Sequence, residues 1–301
     1  MTVFDLCADS LQGLSVGDAL GAQFFVPGNS VAALLAGMLP DAPWPWTDDT
    51  EMACHLVREL REHGEVDQDS LAVRFAEDYE PYRGYGGGTI VLLRQVREGV
   101  PWREAAAAAF DGQGSMGNGA AMRVAPLGAF YAGDHRRAAL QAMASAEVTH
   151  AHPEAVLGAV AVAVAAAEAG RARLAGVRPE PGEILDVVLS YLADSRVKAG
   201  IVQAQRLLDG NVEQVAYALG NGSRVLAFDT VPFTLWVAAT RLEDFPAAIR
   251  ACIEAGGDVD TTAAIVGGIV ATYTGIGPTG VPTAWMDRRE PLPKDAHSPS
   301  A

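Results

Sequence analysis

Along most of the chain, apolar residues return every three or four positions, as in Met52, His55-Leu56 and Glu59-Leu60, or Ile184, Val187-Val188 and Tyr191-Leu192. That spacing covers one face of a helix, whereas the two-residue alternation of a half-buried strand is scarce. The pattern predicts an all-α fold, a multi-helix bundle. Its helices are expected near 5–20, 49–63, 68–80, 88–98, 101–110, 119–131, 135–149, 153–172, 182–194, 196–209, 223–240, 245–255 and 260–274.

Glycine falls where these stretches meet, at Gly84-Tyr85-Gly86-Gly87-Gly88, Gly112-Gln113-Gly114, Gly117-Asn118-Gly119 and Gly256-Gly257. Without side chains, such junctions let backbone N–H groups approach a ligand, so loops are expected to carry the site. No linker-like stretch interrupts residues 1–286, which read as one domain. Residues 287–301, with three prolines and no apolar periodicity, read as a surface tail of no catalytic interest.

Composition agrees with a large core: of 301 residues, 50% are hydrophobic and only 20% charged. The net charge of −15 argues against direct binding to nucleic acid or an anionic membrane, since both would repel the protein. It does not exclude a phosphorylated small molecule, because metal ions and helix N-termini can hold a diphosphate. Cys7, Cys54 and Cys252 are odd in number, far apart and set among apolar residues, as reduced core thiols would be. A cytoplasmic setting is expected from them. Met1–Leu11 lacks the charge pattern of a signal, and the run Val156–Ala167 is too short and too closely bounded by Glu154 and Glu168 to span a bilayer.

Two acidic clusters carry the chemistry. Thr47-Asp48-Asp49-Thr50-Glu51 precedes a periodic helix, and Asp48 with Glu51 has the spacing of a capping box. A cap, however, uses one carboxylate, not two beside a hydroxyl. Gly256-Gly257-Asp258-Val259-Asp260-Thr261 also opens a helix, one whose Ala263, Ala264, Gly267 and Gly268 allow close packing, and Asp258 or Asp260 is a candidate N-cap. Hard divalent cations favour such clustered oxygens. If the clusters meet, four aspartates require cations, and a pair of Mg²⁺ ions about 3.5–4 Å apart answers that need.

Read together with Gly17-Asp18-Ala19-Leu20-Gly21, Arg83-Gly84-Tyr85-Gly86, Gly117-Asn118-Gly119-Ala120-Ala121-Met122-Arg123 and Thr149-His150, these residues resemble the ADP-ribosylglycohydrolase family, related to the dinitrogenase-reductase-activating glycohydrolase. The likeness runs over residues 5–286 in the family's order. Phe75-Ala76, Leu219-Gly220-Asn221-Gly222 and Ala227-Phe228-Asp229-Thr230-Val231-Pro232 resemble the serine-type branch. The resemblance implies an enzyme that hydrolyses the N- or O-glycosidic bond between ADP-ribose and an acceptor, a protein side chain or a small riboside, and acts as a monomer. It implies that Thr47, Asp48, Asp49, Asp258, Asp260 and Thr261 ligate two Mg²⁺ ions (Mn²⁺ being an alternative), with Asp48 or Asp49 as catalytic base. By the same resemblance, Gly84, Tyr85, Gly86, Gly87 and Gly88 cradle the diphosphate, Gly114, Ser115, Met116, Gly117 and Asn118 wrap the distal ribose, Phe110 stacks on adenine, and His150 contacts ribose or phosphate.

Plainer roles compete at single positions. Phe110 suits a core as well as a stacking platform, His150 could be a helix-junction residue, and Arg123 a buried ion-pair partner. Asp18 could hold the first cluster by hydrogen bonds without touching metal. One departure stands out: counting from Gly21, Phe25 occupies the place of a glutamate that the serine-type enzymes carry, and phenylalanine accepts no proton. Either a cluster aspartate activates the water, or the chain is a non-catalytic ADP-ribose-binding or structural relative. A metallohydrolase acting on another nucleotide sugar is a further reading, and the surroundings of Gln23, Phe24 and Phe25 are expected to discriminate.

Overall fold

A computed structural model describes residues 1–294. Among them are seventeen α-helices and two 3₁₀ turns, with no β-strand beyond three isolated bridges. The protein is all-α, and one apolar core runs through it.

The centre of the bundle is the helix Pro153–Ala175. By length and composition it could cross a membrane, but 89% of its most apolar stretch is buried within the fold. Its alanines and valines let helices close in from several sides. The one buried acid on it, Glu168, is held by Arg171 and by His135 at 2.9 Å.

The most extensive helix contact joins Val3–Ala22 to Val259–Thr274. Gly13, Gly17 and Gly21 make it possible. A Cβ at Gly17 would fall into the Ala263 carbonyl, and one at Gly21 would come within 2.6 Å of Val259 O and 2.7 Å of Asp260 Cα. The two backbones therefore touch, and Asp18 is delivered against the start of the second acidic helix.

Several boundaries differ from the periodicity. The stretch expected at 119–131 is two short helices, Gly119–Met122 and Ala125–Phe130, because Arg123 and Val124 turn the chain ahead of Pro126. The helix expected from 223 starts at Ala227, since Val225 adopts φ 58°. Val31–Leu35, Val212–Leu219 and Thr283–Met286 were not expected; each is too short to show a sustained period.

Residues 288–292 of the expected surface tail are packed against the fold. Arg288 O accepts from Trp44 N at 2.7 Å, Glu290 N donates to Trp44 O at 2.9 Å, and Arg289 and Leu292 are buried. An extended strap needs no apolar period to pack, because backbone hydrogen bonds and two anchoring side chains suffice. Residues 295–301 of the expected tail lie outside the described residues.

Candidate active site

Asp18 organises the first cluster. Its carboxylate accepts from Thr47 N at 2.9 Å, Thr47 Oγ1 at 2.8 Å, Thr50 N at 3.2 Å and Thr50 Oγ1. The N-cap of Asp48–His63 is Thr47, whose hydroxyl accepts from Asp49 N, so the Asp48–Glu51 capping box does not form. Glu51 instead receives Tyr85 Oη at 2.6 Å and Glu80 N at 3.0 Å. The second helix is entered through Asp258, which makes no side-chain cap; its carboxylate accepts from Asn118 Nδ2 at 2.7 Å. Asp260 accepts from Thr261 N at 2.8 Å.

The two clusters meet. Asp18, Asp49 and Asp260 each offer an oxygen, and these oxygens lie within 4.8 Å of one another. Thr47 Oγ1 is 2.9 Å from Asp49 Oδ2 as well as 2.8 Å from Asp18 Oδ1, yet it has one proton to share between them. Asp49 Oδ1 is buried with no hydrogen-bond partner. Burial, and then the neighbouring acids, hold Asp49 and Asp260 well above the usual carboxylate range; burial raises Asp48 to about 7 and Asp18 to about 6. Asp258 is raised too, chiefly by burial. Such crowded oxygens with an orphaned lone pair have the donor chemistry to hold a metal ion.

The acids form the floor of a cleft of about 510 Å³. Asp48, Asp49, Asp258, Asp260 and Thr261 line it, as do Gly84, Gly86, Gly87, Gly88, Phe110, Ser115, Met116, Gly117, Asn118 and His150. Gly86 caps the helix Gly87–Arg97 without any side-chain hydrogen bond, so the first N–H groups of that helix stay free to meet an anion. Phe110 sits at φ 53° and is 64% exposed, which makes it a wall of the cleft and not core.

Three expected contact residues are placed elsewhere. Thr47 lies behind the floor, bonded to Asp18 and Asp49. Tyr85 turns inward to Glu51, its ring T-shaped to that of Tyr79 with centroids 5.5 Å apart, and burial pushes its phenol well above the ordinary value. Gly114 packs on the Ala151–His152 backbone, where a Cβ would meet His152 N at 2.8 Å. Arg123, fully buried, neither lines the cleft nor, among the described residues, pairs with an acid; desolvation brings it down to about 9. Thr89, Leu92, Thr149, Arg224, Val225 and Leu226 also line the cleft, the last three from the loop before Ala227. Only the Asn221-Gly222 turn signalled the last three, because the positive φ of Val225 has no signature in its residue type.

Phe25 ends a 3₁₀ turn, is 56% exposed, and like Gln23 and Phe24 does not line the cleft. Gln23 Nε2 is spent on Ala19 O at 3.2 Å.

Fold and cleft together define an all-α protein whose carboxylate centre is built at the N-termini of two helices beneath glycine-rich walls. Residues 1–298 match the family model described as ADP-ribosylglycohydrolase. The chain is 30% identical to ADP-ribosylhydrolase ARH3 of Mus musculus over 93% of its length and 86% of that protein. It is 27% identical to the ADP-ribosyl-[dinitrogen reductase] glycohydrolase of Rhodospirillum rubrum, over 95% and 91%. A solved structure described as an ADP-ribosylglycohydrolase-related protein complex superposes with a TM-score of 0.64 at 26% identity, covering 96% of this chain and 93% of that one. The protein belongs to the ADP-ribosylglycohydrolase family and is a glycosyl hydrolase.

Proposed function

We propose that the protein removes ADP-ribose from an acceptor, a protein side chain or a small riboside, in a Mg²⁺-dependent hydrolysis, with the serine linkage as the leading candidate. The observation that carries this is the meeting of the buried Asp18 and Asp49 with Asp260 at a cleft that also offers an uncapped helix N-terminus. Asp48, Asp49, Asp258, Asp260 and Thr261 would hold the ions, with Thr47 orienting Asp49. Bound there, Mg²⁺ supplies positive charge that favours ionised ligands and steadies the charge shift at the anomeric carbon. The free N–H groups at Gly87–Thr89 take the diphosphate, and Phe110 takes the adenine face. With Phe25 away from the cleft, the carboxylate of Asp48 or Asp49 accepts the proton of the attacking water, and the acceptor atom, as its bond to the anomeric carbon breaks, takes a proton from water or a nearby acid. Asp18, bonded to Thr47 and Thr50, keeps the first helix turn in register with the second cluster.

Titration calorimetry of ADP-ribose with and without Mg²⁺, run beside release assays on serine- and arginine-ADP-ribosylated peptides, tests the proposal. Wild type is expected to bind only with metal and to release ADP-ribose, while Asp258→Ala loses release by roughly 10²-fold or more. Binding without release from either peptide would overturn the acceptor assignment; absence of binding would overturn the cleft assignment.

A further inference from the structure

Behind the cleft, three side chains form a hydrogen-bonded series that the proposed reaction does not itself require. Arg123 donates from Nη2 to Ser145 O at 2.7 Å and to Thr149 Oγ1 at 3.0 Å, with its guanidinium 4.6 Å from the Phe75 ring centre. Thr149 Oγ1 lies 2.7 Å from His150 Nδ1. All three residues are buried. The opposite ring nitrogen, Nε2, lies against the Gly117–Gly119 turn, where a Cβ at Gly117 would stand 3.3 Å and one at Gly119 2.9 Å from it, and His150 lines the cleft.

Counting protons along this series determines the tautomer. Arginine can only donate, so the Thr149 oxygen accepts from it. The Thr149 hydroxyl proton then needs an acceptor, and His150 Nδ1 is the one the structure offers. Were Nδ1 protonated, the hydroxyl proton would be buried without a partner, an arrangement that structures avoid. An unprotonated Nδ1 leaves the neutral ring's proton on Nε2. Desolvation, and then the charge of Arg123, push His150 down to about 3, which agrees with a ring that stays neutral.

We propose that Arg123 and Thr149 are positioning residues that hold His150 as a fixed Nε2–H donor facing the cleft, so that this wall selects an acceptor oxygen of the ligand, on phosphate or ribose. The ligand half of the inference rests on the ADP-ribose reading; the tautomer does not, and it can be measured on the free protein. In ¹⁵N-labelled protein near neutral pH, with His150 assigned by loss of its signals in His150→Gln, long-range ¹H–¹⁵N spectra are expected to show Nδ1 unprotonated and Nε2 protonated. Thr149→Ser is expected to keep both that pattern and the ADP-ribose affinity. Thr149→Val is expected to lose the single tautomer and weaken ADP-ribose binding by roughly tenfold, the worth of one well-placed hydrogen bond. A wild-type ring protonated on Nδ1 would overturn the proposal even if Thr149→Val failed to fold. Correct tautomer with ligand affinity unchanged in Thr149→Val would overturn the selection of an acceptor oxygen. Failure of wild type to bind ADP-ribose would count against the proposed function while leaving the spectra to decide the tautomer.

Discussion

Asp49 concentrates the conflict on which this site is built. Its carboxylate is buried, one oxygen has no partner, and the other faces Asp18 across a single hydroxyl proton. Asp49→Asn removes the charge at nearly constant shape. Without metal, the variant is expected to be more stable than wild type near neutral pH by about 1–3 kcal/mol, because folding no longer has to bury or protonate this carboxylate. Urea denaturation in the presence of a chelator measures it, and lower stability would show that the cluster is relaxed without cations. In the same variant, added Mg²⁺ is expected to bring little further stabilisation and turnover to be lost. The adjacent acids of this cluster are plain in the sequence. That Thr47 and not Asp48 caps the helix, and that Glu51 turns to Tyr85 and Glu80, depends on neighbours that arrive from residues 79–85.

The strap formed by residues 288–291 shows how a segment without periodicity can govern a site. Glu290 grips Arg83 with two bonds of 2.8 and 3.0 Å; Arg83 lies over the Trp46 ring at 3.3 Å and donates to Trp46 O at 3.0 Å. Trp46 immediately precedes the first cluster, and Gly84 follows Arg83, so one guanidinium joins the acidic floor to the glycine wall. A planar fork suits this double duty where a lysine would not. Arg83→Gln and Glu290→Gln are each expected to weaken ADP-ribose binding about three- to tenfold, and the double variant to be no worse than the weaker single, since both break one link. Calorimetry on the four proteins decides it; additive losses would mean that the two residues act separately. The Arg83-Gly84-Tyr85-Gly86 motif was visible, but its partner lies in the stretch that the sequence marks as an inert tail. Likewise the split of 119–131 reflects Arg123 turning into the core, which an apolar period does not register.

Across the molecule, the acidic centre is expected to couple folding to pH and to the binding of the proposed metal ions. Asp48 and Asp18 titrate near 7 and 6 in the folded protein, above the model-peptide value of 3.8. A folded-state pKa raised in this way contributes stability that is complete below the unfolded value and is lost as pH rises through the folded one. The metal-free protein is therefore expected to lose Tm from about pH 4 to about pH 7. Cation binding demands the ionised acids, so the stabilisation gained on adding Mg²⁺, read as a rise in Tm, should grow over the same interval; at a hundredfold excess over Kd it is about 2.7 kcal/mol per site. Scanning calorimetry with chelator and with Mg²⁺ checks both slopes; a metal-free Tm that rises over this interval would contradict the raised pKa values.

The helical class, the buried alanine-rich helix, the two acidic clusters and the glycine junctions can all be read along the chain, because each is a matter of spacing or of residues adjacent in sequence. Family likeness, likewise, lies in short motifs kept in order. What the folded chain alone decides is convergence. Gly17 and Gly21 let two helices touch so that Asp18 meets Asp260, some 240 residues away by number, and Val225 is strained into the cleft opposite in sequence to Phe110. Glu290 reaches back to Arg83. These are contacts between distant segments, set by which surfaces bury together, and no local pattern of polar and apolar residues encodes them.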